Sequence, residues 1–217
     1  MERYLIPAEE TRCETRVMNS RFIATVAPAF TADEAKAFIA RIKHEFANAT
    51  HNVSAYLIGH GNTVIAHCHD DGEPSGTAGR PALTVLRGSG LGDVAVVVTR
   101  RFGGTKLGRG GLVRAYRDAV RDVLTLLPRA AKVSTCVAVM TMPYSFFGCI
   151  CLLVATRRGT ILHKEFAAEV TLKARFAVER FPAFQEAVRQ VSKGTLRANI
   201  IRADELTIVP IDVKERV

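Results

Sequence analysis

The chain has 217 residues, 48% of them apolar, and a net charge of +9, which is enough for a sizeable core in one large or two small domains. Its five cysteines, Cys13, Cys68, Cys136, Cys149 and Cys151, form an odd, irregular set with no secretory signal ahead of them, which argues against a disulfide framework and for a reducing cytoplasm. The most apolar stretch, Phe146 to Thr156, is interrupted by Gly148 and is too short to span a bilayer, so no membrane partner is expected. The positive charge is spread over both halves rather than gathered in an arm, and it suits a polyanionic partner.

In chain order, Arg21–Pro28 has the composition of a strand, and Thr31-Ala32-Asp33-Glu34 matches a capping box that opens a helix with Ala37, Phe38, Ile42 and Phe46 on one side. His51–Ile58 and Asn62–His67 read as two strands joined by the turn Gly59-His60-Gly61. Pro81 fits the first turn of a short helix carrying Leu83 and Leu86, ended by Gly88-Ser89-Gly90. Asp93–Thr99, with five consecutive apolar residues from Val94 to Val98, is a buried strand. Leu112, Ala115, Tyr116, Ala119, Val120, Val123 and Leu124 fall on one face of an amphipathic helix. Pro128–Lys132 breaks that helix and marks a domain boundary. Beyond it, strands at 134–142, 159–166, 168–176 and 205–211 and helices at 145–157 and 182–192 give the split βαββαβ order of a ferredoxin-like unit.

Two glycine-rich runs carry the strongest demand on backbone geometry. The first, Asp70 to Pro81, holds Asp70, Asp71, Gly72, Glu73, Gly76, Thr77 and Gly79; the second, Arg100 to Gly111, holds Arg100, Arg101, Lys106, Gly108, Arg109 and Gly110 and leads into the helix with Arg114. The second run is a near miss for a nucleotide-binding P-loop, since Arg109 and Gly110 stand where lysine and a hydroxyl are needed. A helix N-terminus preceded by glycines and arginines still suits phosphate groups. His67-Cys68-His69 beside Asp70, Asp71 and Glu73 supplies metal-type donors, but neighbours in an extended chain point in opposite directions, and no metal is expected; the Asp and Glu of this loop are expected instead to accept hydrogen bonds from nearby backbone N–H groups or to pair with Arg100 and Arg101. No serine nucleophile motif is present. Cys149 and Cys151 read as core. Phe22, Tyr56, Phe102 and Tyr116 are the aromatics available to stack on bases.

The same residues resemble the IMPACT/YigZ family: Ser20-Arg21-Phe22-Ile23, His51-Asn52-Val53-Ser54-Ala55-Tyr56, the run Asp70 to Pro81, and the run Arg100 to Tyr116. The resemblance covers about residues 15–127 well; Arg101 replaces a usual aromatic, and His67-Cys68-His69 lies outside the motif. It implies an N-terminal α/β domain similar to the second domain of a small-subunit ribosomal protein, and a C-terminal domain similar to a late domain of elongation factor G. Eukaryotic members regulate translation through extra domains that this sequence lacks, so that role is not carried over.

The expected fold class is therefore α+β, with an N-terminal domain of ribosomal-protein second-domain type at 1–130 and a ferredoxin-like βαββαβ domain at 131–217. The expected function is nonenzymatic binding of RNA or ribosomal components in the cytoplasm, without a cofactor, using Arg100, Arg101, Lys106, Arg109 and Arg114 on the scaffold of the second glycine run. Two further readings stay open. One is an enzyme for a small anionic substrate, with Asp71 or Glu73 as base and Arg100 as clamp; the other is a module that docks a protein partner through its C-terminal sheet.

Overall fold

The computed structural model describes residues 3–210 and is a mixed α+β protein with two compact units, Tyr4–Ala131 and Lys132–Val209. In the first unit the order is β1 (Tyr4–Pro7), β2 (Thr11–Val17), β3 (Ser20–Pro28), α1 (Ala32–Glu45), β4 (His51–Ile58), β5 (Ile65–His69), α2 (Gly79–Gly88), β6 (Val94–Arg101) and α3 (Gly108–Leu126). The sheet runs β2-β3-β6-β4-β5, antiparallel throughout, with β6 at its centre.

Successive residues of a strand face opposite sides, and β6 uses both. Val94, Val96 and Val98 pack with Phe22, Leu86, Tyr116 and Val120 beneath α2 and α3, while Ala95 and Val97 pack with Phe38 and Ile42 of α1. Helices on both faces explain why its sequence is a continuous apolar run instead of an alternation. All seven expected apolar positions of α3 are buried. On α1 the buried positions are Ala35, Phe38 and Ile42; Ala37, expected inside, is exposed. Thr31 caps α1 through Glu34 N–H at 3.1 Å, and Glu34 reaches back to Phe30 N–H at 2.8 Å.

Arg100 and Arg101 belong to β6, and Gly108–Gly111 form the first turn of α3, so the second glycine loop is shorter than the sequence suggested. Pro128 ends the helical path, but the segment after it is no open linker. β7 (Arg129–Met142) begins there, Ala130 and Ala131 are buried, and Ala8 N–H donates to the Pro128 carbonyl at 2.8 Å.

The second unit continues β7 and adds α4 (Tyr144–Thr156), β8 (Thr160–Phe166), β9 (Val170–Ala177), α5 (Phe181–Val191) and β10 (Asn199–Pro210). β9 pairs antiparallel with both β7 and β8, and β10 pairs with β7. Alternate residues of β7 and β9, including Met140, Met142, Leu172 and Phe176, pack on Ile150 and Val154 of α4 and on Phe184 and Val188 of α5. β10 starts well before the expected Glu205, and the expected last residue, Ile211, lies outside the described residues. Cys149 is exposed and Cys151 half-buried, because Ile150 and Val154 take the inward face of α4. Among the described residues no helix is long and apolar enough to cross a membrane.

Candidate functional site

The two glycine-rich runs meet in space, and the contact is made by buried charge. β6 carries Arg100 beside His51 of β4 and Phe22 of β3. The loop between β5 and α2 brings Glu73 in from above, and α3 brings Tyr116. Arg100 Nη1 donates to Glu73 Oε1 at 2.6 Å, and the Tyr116 hydroxyl donates to the same oxygen at 2.8 Å. Arg100 is 5% exposed and Glu73 7%. The guanidinium lies 5.5 Å from the centroids of both Phe22 and Phe102, and its Nη2 reaches Ser20 Oγ at 3.4 Å. Burial first, then the charge and hydrogen bond of Glu73, push the Tyr116 hydroxyl well above the usual phenol range.

This corrects the expectation for Arg100. Its charge is committed to Glu73 inside the protein, so it belongs to the scaffold and not to the solvent-facing cations. Three of the four aromatics proposed for stacking are also interior: Phe22, Tyr56 and Tyr116 are buried, and only Phe102, at 45% exposure, faces solvent.

The rest of the first run is held by its own backbone. Asp70 accepts hydrogen bonds from the N–H groups of Gly76, Ala78 and Gly79, which closes the loop onto the start of α2. Thr77 Oγ1 donates to the Pro74 carbonyl at 2.6 Å. Asp71 accepts from Lys43 Nζ at 2.6 Å and from Asn52 N–H at 2.7 Å. Gly72, at φ 87, passes over the His51 ring, where a Cβ would come within 3.4 Å of Nδ1. His51 Nδ1 lies 2.8 Å from the Asp71 carbonyl; since a carbonyl only accepts, that nitrogen carries the proton, and Nε2 is left 3.8 Å from Glu73 Oε1.

Burial would raise the carboxyl of Asp70, but three backbone N–H groups outweigh it and hold it below the usual range; for Asp71, Lys43 and the Asn52 N–H outweigh burial in the same way. Carboxylates so engaged are poor bases. A folded-state value below the unfolded one stabilises the protein above the unfolded value of about 3.9 and is lost as pH falls through the folded value. Asp70→Asn is therefore expected to cost about 1.5–3 kcal/mol near neutrality, since both carboxylate oxygens accept from backbone N–H groups and an amide can accept through only one of its two atoms. The deficit relative to wild type should shrink below pH 4 in acid-titrated urea melts, and a pH-independent deficit would contradict the assignment.

The second run and the helix it opens present Lys106, Arg109 and Arg114 outward. Arg101 is half-buried and donates to Asn48 Oδ1 at 3.0 Å. Lys106, Arg109 and Arg114 are exposed; Arg109 donates to the Ser75 carbonyl at 3.1 Å, a bond that joins the two runs without neutralising its charge. The first turn of α3 has no acidic residue and no side-chain cap, and Gly104, Gly108 and Gly110 leave open space around the backbone. His67 and His69 share the exposed face of β5 while Cys68 points to the other, so these three donors do not converge.

What had no signal in residue type was the anchoring role of Ser20, His51, Asn52 and Tyr116, whereas the pairing of Glu73 with Arg100 was among the readings of the acidic run. Each nonetheless sits in one of the motif segments, which the fold gathers around Arg100.

These features define a class: an α+β protein whose glycine-rich loops are pinned by a buried arginine–glutamate–tyrosine cluster. The chain belongs to the IMPACT family. The profile of the Impact N-terminal domain matches residues 18–124. An IMPACT family member of Haemophilus influenzae is 34% identical over 206 residues, covering 94% of this chain and 100% of that one. The IMPACT family member YigZ of Escherichia coli is 33% identical over 198 residues, 91% of this chain and 97% of that one. A crystal structure of a hypothetical protein, 30% identical, covers 98% of this chain and 99% of that one with a TM-score of 0.60.

Proposed function

We propose that this protein binds RNA or ribosomal components in the cytoplasm through the outward face of the second glycine-rich run, as a nonenzymatic factor acting in translation. The observation that carries the reading is the set of exposed cations, Lys106, Arg109 and Arg114, around a helix start that has no acid of its own. Phosphates gain there from unpaired N–H groups, from the helix dipole and from the side-chain charge together. The bare glycines let a phosphate chain approach the backbone. On this reading the buried Arg100–Glu73 pair holds the two loops at a fixed separation so that the outer cations are presented as one surface.

The finer architecture belongs to the same proposal. The N-terminal unit is of the ribosomal-protein second-domain type, and the C-terminal unit is a ferredoxin-like module, with its β7-α4-β8-β9-α5-β10 order and its strand order β8-β9-β7-β10 as support.

The experiment is sedimentation of the purified chain with ribosomes and with bulk RNA across a salt series, against Lys106→Glu plus Arg109→Glu. Binding is expected to fall steeply with salt and to be lost in the variant, since each phosphate contact adds about 0.9 to the slope on duplex regions. A variant that binds as wild type does would remove the site, and absence of binding at low salt would remove the function.

A further inference from the structure

A groove of ≈ 240 Å³ opens beside the first turn of α3, within the N-terminal unit. Its walls are apolar: Val17 and Met18 at the end of β2 on one side, Leu107 and Ala115 of the α3 segment on the other. Met18 is 68% exposed and sits at φ 52 in the tight turn between β2 and β3. Lys106 and Arg114 also line it, and neither has an anionic partner among the described residues. The one acid at the groove, Asp118, is already paired with Arg121 at 3.1 Å.

The slot is too small for a helix about 10 Å across, so neither a helical peptide nor a nucleic-acid duplex enters it. Apolar walls flanked by two uncompensated cations match a different shape, a flat ring system with a phosphate on either side. A base can leave the stack and expose both faces only where it is unpaired. We infer that the groove takes one unpaired base of a single-stranded RNA, with the flanking phosphates on Lys106 and Arg114. The inference rests on the anion-binding reading above and adds to it the strandedness of the ligand.

The test uses the full chain and a fluorescein-labelled single-stranded RNA of twelve nucleotides and mixed sequence, compared by anisotropy with the same strand annealed to its complement. Wild type is expected to bind the single strand about tenfold more tightly than the duplex, a difference of about 1.4 kcal/mol. Met18→Asn removes one wall, and asparagine is the side chain that best tolerates the left-handed backbone there, so the fold is kept, as a thermal melt will register. The preference should then collapse toward unity. Lys106→Ala and Arg114→Ala should weaken binding and lower the single-strand salt slope by about 0.7 each. Equal wild-type affinity for the two ligands, or a Met18→Asn variant that keeps the preference, overturns the groove while leaving the anion-binding surface standing. Displacement of the RNA by polyglutamate as readily as by unlabelled RNA overturns it in favour of an acidic protein partner. No binding of either RNA at low salt overturns both readings.

Discussion

Arg100→Met is expected to destabilise the N-terminal unit by about 3–5 kcal/mol, the cost of stranding a buried charge when its partner is removed. Glu73 is almost completely enclosed, and its Oε1 has Arg100 and Tyr116 as donors. With Arg100 gone, the Tyr116 hydroxyl is the donor left to that oxygen, against a full negative charge. The double variant Arg100→Met with Glu73→Gln should be milder than the single one, because a neutral amide can be accommodated where a carboxylate cannot. Urea melts of the two variants and wild type decide the matter. A single variant within about 0.5 kcal/mol of wild type would mean that the cluster is not holding the loops.

The second large effect is expected at Gly103, where the loop after β6 crosses the turn between β2 and β3. A Cβ built there lies 1.9 Å from the carbonyl oxygen of Asn19 and 2.0 Å from its carbonyl carbon. Both atoms are backbone, so no rotamer change relieves the overlap, and Gly103→Ala should cost about 3 kcal/mol as the two segments are forced apart. The displacement also pulls Gly103 N–H from Ser20 Oγ, now 3.3 Å away, and Ser20 Oγ is in turn a partner of Arg100. Gly110→Ala is the control: nothing lies within 4 Å of the added carbon, and alanine suits the helix. Equal melting midpoints for the two alanine variants would show that the Asn19 crossing is not a constraint.

Parts of this fold were legible in the sequence wherever burial imposes a period. The α3 face could be read because seven apolar residues repeat at helical spacing, and β6 because both of its faces are covered. β2 left no such trace. Its sequence Thr11-Arg12-Cys13-Glu14-Thr15-Arg16-Val17 sends charged residues outward from a sheet edge and only half-buries the rest. β1 is four residues long and ends in proline, below the length at which alternation means anything.

At the site, residue type misled at Arg100. An arginine pair beside glycines reads as a solvent-facing surface, and only the arrival of Glu73 from 27 residues away turns one of the two inward. Arg101, the next residue, is pointed by strand geometry to the opposite face of the sheet, where it is half-buried and donates to Asn48. The acidic run was better conveyed: carboxylates among glycines suggested acceptors for backbone N–H groups, and Asp70 does this three times over.

The central place of β6 also fixes when the sheet can close during synthesis. β3 and β4 do not pair with one another; each pairs with β6, which follows them in the chain. A nascent chain that has emerged only through β5 therefore holds two separate hairpins, β2 with β3 and β4 with β5, each with an inner edge that awaits β6. The four valines and one alanine of β6 join them in a single late step, and Arg100, next to last in that strand, reaches Glu73 only then. Until β6 has been translated, the inner edges of both hairpins therefore stay open to mispairing or to a chaperone.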